Sequence, residues 1–219
     1  GCRMETRLAA LEDRVTSLEA KASVPAACVR ETWARPVLEK DALYSPSDLD
    51  AIVKRLAREI SAAYADADED VVIVGLLDGV FMFLADLSRE LTVPHRVDFV
   101  SASSYGANTV SSGNVKIKKD CGASVRGKHV LVVDEMCDTG RTLACLAELF
   151  KSREPASVKT CVLLDKVSRR VVDVQPDFVG SICADEFVIG YGMDWNGKYR
   201  SLPFVGVLKR ALYDPGSQA

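Results

Sequence analysis

The chain has 219 residues, 48% of them hydrophobic, and a net charge of −3, enough for one sizeable α/β domain, alone or with an appendage. No broad basic surface advertises nucleic acid, and no apolar run is long enough to span a membrane. An anionic ligand would be held by local cations, backbone amides or a metal rather than by overall charge.

Residues 1–41 read as an N-terminal extension. Gly1-Cys2-Arg3 precede Met4, and Leu8, Leu11, Val15 and Leu18 then fall at a/d spacing among Glu, Arg and Lys. Two heptads make an amphipathic helix too short for a secure coiled coil; it either supports oligomerisation or is mobile. Residues 23–36 read as a linker. The charged start lacks the apolar core of a signal peptide, and the final residues, Gly216-Ser217-Gln218-Ala219, carry no peroxisomal address, so the expected location is the cytoplasm. Seven scattered cysteines without a CxxC pair fit reduced, buried thiols.

From Ala42 the periodicities alternate. Ser45 or Ser47 can cap a helix carrying Leu49, Ile52, Val53, Leu56 and Ile60. Residues 66–70 form an acidic loop. Val71–Leu77 reads as a buried strand broken by Asp78-Gly79. Residues 80–91 suit a helix, and residues 96–102 a third strand. Residues 103–119, SSYGANTVSSGNVKIKK, are long and polar, and read as a lid or as a β-hairpin without function. Val158–Leu164 and Phe178–Cys183 are further strands. The first of these ends in Asp165-Lys166, followed by Arg169 and Arg170. A lysine just past a strand end faces the same sheet edge as the segment described next.

That segment is VLVVDEMCDTGRT, residues 130–142. Four apolar residues read as a buried parallel strand. Asp134, Glu135 and Asp138 follow, then Thr139-Gly140-Arg141-Thr142, and Leu143, Leu146 and Phe150 continue at helical spacing. Backbone N–H groups, two hydroxyls and a glycine at a helix N-terminus suit a phosphate. The acids beside them should repel one. A ligand carrying a phosphate and neutral hydroxyls, such as ribose 5-phosphate, reconciles the two, because carboxylates accept hydrogen bonds from hydroxyls or help hold a divalent cation. Cys137 reads as a spacer within this run. Strands alternating with helices give a mostly parallel, three-layer α/β domain. Neither GxGxxG nor GxxxxGK[ST] is present.

The 130–142 segment resembles the phosphoribosyl-pyrophosphate signature of type I phosphoribosyltransferases. Four more pieces resemble the 6-oxopurine branch, the hypoxanthine-guanine phosphoribosyltransferases: GLLDGVFMFLADL at 75–87, Ser104-Tyr105, LLDKVSRR at 163–170 and DEFVIGYGMDWNGKYR at 185–200. The resemblance implies a transferase domain at 42–213, a tail at 214–219, and a twisted, mostly parallel sheet flanked by helices under a small hood of terminal segments. It implies purine salvage: N9 of hypoxanthine, guanine or, as an open third case, xanthine displaces pyrophosphate from phosphoribosyl pyrophosphate. Mg²⁺ is the implied cofactor, doing much of the neutralising because Lys and Arg are few near these motifs. A homodimer or homotetramer is the implied assembly, with no nucleic-acid or membrane partner.

Residue by residue, the resemblance assigns Asp134 and Glu135 to the ribose hydroxyls and metal shell, and Asp138 to general base at purine N7. A carboxylate in that role works best at neutral pH with a raised pKa. Residues 138–142 (Asp138, Thr139, Gly140, Arg141, Thr142) take the 5-phosphate. Leu77, Asp78, Gly79 and Arg200 take pyrophosphate, with a non-proline cis bond expected at Leu77-Asp78. Ser104 and Tyr105 belong to the lid. Lys166 donates to O6, Phe187 stacks on the base, and Val188 and Asp194 read its far edge, Asp194 also holding metal. Two departures stand out: Asp78 occupies a position where the family commonly has Lys, and the acid pair runs Asp-Glu rather than Glu-Asp. Two other readings compete: a regulatory nucleotide-binding protein on the same fold, which needs a basic face, and a phosphoacceptor receiver domain, whose paired acids would lie nearer the N-terminus.

Overall fold

The computed structural model describes residues 34–39, 42–67, 70–104 and 115–214, with backbone alone at 103 and 104. The chain divides into two units, residues 1–38 and 39–219, each taken by itself. In the first, a 3-10 turn spans Arg35–Val37; the amphipathic stretch 4–22 lies outside the described residues.

The second unit is built on helix α1 (Pro46–Ala63). Ser45 caps it, its hydroxyl accepting from the Asp48 amide while the Asp48 carboxylate accepts from the Ser45 amide, a capping box with proline in the first turn. Strand β1 (Val71–Leu77), helix α2 (Phe81–Glu90), β2 (His95–Ser104), β3 (Val115–Lys119), β4 (His129–Cys137), helix α3 (Arg141–Lys151), β5 (Ser157–Asp165) and β6 (Phe178–Ile182) follow. The sheet order is β3-β2-β1-β4-β5-β6. All pairings are parallel except β2 with β3.

Alternate residues of each strand enter two cores, as period-2 geometry requires. Val71, Ile73, Leu131, Val133, Cys161 and Leu163 pack with Leu49, Val53, Leu56 and Ile60 of α1 and Phe83, Leu84 and Leu87 of α2. Val72, Val74, Val130, Val132 and Val162 pack with Leu143, Leu146 and Phe150 of α3. The central strands are therefore apolar on both faces, which accounts for their continuous Val/Leu runs.

The hood of terminal segments is present. β7 (Val188–Ile189) pairs antiparallel with β8 (Gly206–Val207). Leu43 and Tyr44 donate backbone N–H groups to Val205, and Glu39 donates to Val207. A last short helix, α4, covers Arg210–Tyr213. Among the described residues no helix is long and apolar enough to cross a membrane. Residues 103–119 supply hairpin arms: β2 runs on to Ser104 and β3 returns beside it, Ser104 opposite Val115. Tyr105 and the Ser104 side chain lie outside the described residues.

Candidate active site

The strand order reverses between β1 and β4. At such a switch point the loops leave in opposite directions and open a crevice at the carboxyl ends of the strands. The loop after β1, Leu77–Gly79, and the acids of β4 both emerge there, and the Leu77-Asp78 peptide is cis.

The signature loop is held by the turn that follows β5. Lys166 N–H donates to the Cys137 carbonyl at 2.9 Å, and Val171 N–H donates to the Thr139 carbonyl at 3.1 Å. Between them, Arg170 Nη1 donates to the Asp138 carbonyl at 3.1 Å. Three consecutive carbonyls thus point at one turn. In trans peptides the next N–H points the opposite way, so the amides of Asp138, Thr139 and Gly140 face away from the turn. Among the described residues the N–H groups of 138–142 donate no backbone hydrogen bond. They lie at the N-terminus of α3, where the helix dipole also favours an anion. Gly140 is the N-cap in a left-handed conformation, φ 82°. A Cβ there would also meet Val174 at 2.6 Å and Arg170 at 2.8 Å, so glycine is required by conformation and by space.

Of the acid pair, Asp134 is buried and Glu135 half-buried. Asp134 is 6% exposed and accepts from the Glu135 amide at 2.8 Å. Burial, then the neighbouring Glu135 charge, pushes its pKa well above the usual carboxylate range. Burial also raises Glu135, and its Oε2 has no hydrogen-bond partner among the described residues. The Glu135 carboxyl lies over the β1 loop: a Cβ on Gly79 would sit 2.0 Å from Oε1. Arg200 braces the opposite wall, donating to the Gly192 carbonyl at 2.7 Å and pairing with Asp194 Oδ1 at 2.8 Å. Asp194 Oδ2 accepts from the Gly197 amide at 2.7 Å.

Lys166 is buried, 7% exposed, although a lone lysine beyond a strand is most often solvated. Phe187 keeps an exposed face, and its ring lies 5.2 Å from that of Tyr213. Val188 is buried in β7. Asp138 stands beside a cation rather than an apolar wall: Arg169 Nε pairs with Oδ1 at 2.6 Å. The expectation of few cations near the motifs is corrected. Lys166, Arg169 and Arg170 gather at the signature loop because β4 and β5 are neighbours, and Arg200 arrives from the hood. Arg170, given no role from sequence, also donates to the Cys137 thiol and pairs with Asp165. The one sequence signal for it was a pair of arginines just past a strand end. Cys137 is 2% exposed; burial pushes its thiol up to about 11, outweighing the opposing pull of Arg170, so it is a packed spacer. The five described cysteines are all free thiols.

A doubly wound sheet with free loop amides and an acid pair at its switch point, and a buried lysine at the carboxyl end of the neighbouring strand, is the arrangement of a phosphoribosyl-transferring α/β enzyme. The phosphoribosyl transferase domain family matches residues 40–196, and the chain belongs to that family. It is 49% identical over 160 residues to the hypoxanthine phosphoribosyltransferase of Salmonella typhimurium, covering 73% of this chain and 90% of that protein. It is 43% identical over 172 residues to the hypoxanthine-guanine phosphoribosyltransferase of Bacillus subtilis, covering 78% and 94%. Among solved structures, a hypoxanthine phosphoribosyltransferase from Staphylococcus aureus superposes with a TM-score of 0.77 at 37% identity, covering 82% of this chain and 96% of that one. The chain is therefore a purine-salvage pentosyltransferase.

Proposed function

We propose that this enzyme transfers the 5-phosphoribosyl group of phosphoribosyl pyrophosphate to N9 of hypoxanthine or guanine, giving IMP or GMP and pyrophosphate, with xanthine and XMP as the open third pair. The observation that carries the reading is the row of carbonyls 137–139 tied to the 166–171 turn, which presents outward amides and puts Asp138 and Lys166 at one edge.

In this reading the amides of Asp138, Thr139, Gly140, Arg141 and Thr142, with the Thr139 and Thr142 hydroxyls, bind the 5-phosphate. Asp134 and Glu135 accept from the ribose hydroxyls. Asp138 takes the proton from N7 as N9 bonds to C1. Lys166 donates to O6, Phe187 offers its open face to the ring, and Val188 and Asp194 border its far edge. Leu77, Asp78 and Gly79 contribute backbone to pyrophosphate, and Arg200 adds a cation. Ser104 and Tyr105 belong to the lid. Placement and charge complementarity do most of the work.

Among the described residues no group of three or more His, Cys, Asp or Glu could hold a metal ion. Mg²⁺ commonly takes one or two carboxylates and completes its shell with substrate phosphates and water. Glu135, with an unpartnered buried oxygen, is the best-placed ligand. Asp134 is buried behind it, and Asp194 would have to share oxygens already engaged. When bound, the cation neutralises charge on the leaving pyrophosphate. Residues 42–213 form the transferase domain in this reading, with extension 1–41 and tail 214–219, acting as a cytoplasmic homodimer or homotetramer.

The test is the initial rate with phosphoribosyl pyrophosphate, Mg²⁺ and each of hypoxanthine, guanine, xanthine and adenine. Turnover of 6-oxopurines and not of adenine is expected. Absence of turnover with every base would contradict the reading.

A further inference from the structure

Adjacent arginines of one turn grip Asp138 at two levels. Arg170 takes its carbonyl, while Arg169 faces its carboxylate, Nε 2.6 Å from Oδ1. The same guanidinium reaches the other way: Arg169 Nη1 donates to Asp185 Oδ1 at 3.0 Å. Its own amide donates to the Lys166 carbonyl at 3.0 Å, so its backbone is tied to the residue that faces the base. One side chain therefore spans from the signature loop to the segment that leads, two residues on, into Phe187.

We propose that Arg169, anchored by Asp185, is a positioning residue for Asp138, holding the carboxylate by Oδ1 so that Oδ2 is presented to the purine. This rests on the reading of Asp138 as the base. The Asp138 side chain is 42% exposed, and its terminal torsion is intrinsically broad, so without a partner the carboxylate samples many orientations. A guanidinium is a rigid fork whose donors can engage two carboxylates at once; an ammonium on a flexible stem cannot hold both in register. Exposed ion pairs contribute little to stability, so the effect of this one falls on geometry at the reacting atom, where small misplacements are costly.

The test compares full-length wild type, Arg169→Gln, Arg169→Lys, Asp185→Asn, Asp138→Asn and the Asp138→Asn/Arg169→Gln double variant, with hypoxanthine at saturating phosphoribosyl pyrophosphate. Arg169→Gln should lower kcat about tenfold with the KM for phosphoribosyl pyrophosphate unchanged. Arg169→Lys should recover part of the loss, and Asp185→Asn should lose about two- to threefold. In the Asp138→Asn background, Arg169→Gln should have no further effect, because Arg169 acts through that carboxylate. Unchanged kcat in Arg169→Gln overturns the proposal, as does an equal loss in both backgrounds. A rise in kcat overturns it too, and would make the guanidinium an obstruction to the base. If Asp138→Asn keeps the wild-type rate, the base assignment itself fails, a result distinct from the other three.

Discussion

Gly192 and Gly79 are in backbone contact: a Cβ added to Gly192 would lie 1.8 Å from the Gly79 carbonyl oxygen. Gly192 also has φ 103°, a conformation other residues rarely adopt. The hood loop that carries Asp194 therefore rests directly on the loop after β1, whose other side faces Glu135.

Gly192→Ala should push these loops apart. The expected result is a fall in kcat/KM for phosphoribosyl pyrophosphate of about 100-fold, with secondary structure by circular dichroism retained. A variant with wild-type kcat/KM would show that this contact does not shape the site.

Lys166 should set base selectivity. It is buried among groups that fix its backbone to Cys137. An ammonium is a donor alone, so it favours a 6-oxo group and faces a second donor in a 6-amino purine. Lys166→Gln, which can accept as well as donate, should lose about 100-fold in kcat/KM for hypoxanthine and narrow the gap to adenine. The ratio of the two kcat/KM values is the measurement.

Asp98 should govern stability in acid. Burial alone would raise its pKa, but the Phe99 amide, the Cys121 thiol and the Ala123 and Gly122 amides outweigh it and lower the value from 3.8 to about 2. Its Oδ2 accepts from the Gly122 and Ala123 amides, both at 2.8 Å. A depressed folded pKa contributes stability above pH 4 that is lost as pH falls from about 4 to about 2. Asp98→Ala should cost about 2 kcal/mol at pH 7 and correspondingly less at pH 2.5. Urea unfolding at the two pH values checks it.

Cys137 should resist alkylation. Its thiol is buried and raised to about 11, so thiolate is scarce at pH 8. Peptide mapping after iodoacetamide treatment of the native protein should find Cys137 unlabelled, and labelled once the protein is unfolded.

The parts of this site that were legible from sequence are local. Asp134 to Thr142 is a strand end, a turn and a helix start, each with its own residue chemistry, so the loop could be read in place. Lys166 was legible as a lysine just beyond a strand. What escaped depends on which strands are neighbours. Arg169 meets Asp138, and Arg170 meets its carbonyl, because β4 lies beside β5, and no spacing along the chain encodes that pairing. Gly192 against Gly79 is likewise a contact across more than a hundred residues. Of the two readings of residues 103–119, the hairpin has its arms in β2 and β3, where Val115 and Ile117 alternate with lysines in the period-2 pattern of a half-buried strand. Phe187 was expected to stack on a base, and its contact with Tyr213 had no local signal.

The most direct test of the account is the rate of IMP formation by wild type and Asp138→Asn, with phosphoribosyl pyrophosphate binding measured on the same samples by calorimetry. The account predicts a loss in kcat of about 100-fold or more, with binding of phosphoribosyl pyrophosphate preserved, because the backbone amides of residues 138–142 remain in place. Wild-type turnover by Asp138→Asn would contradict it.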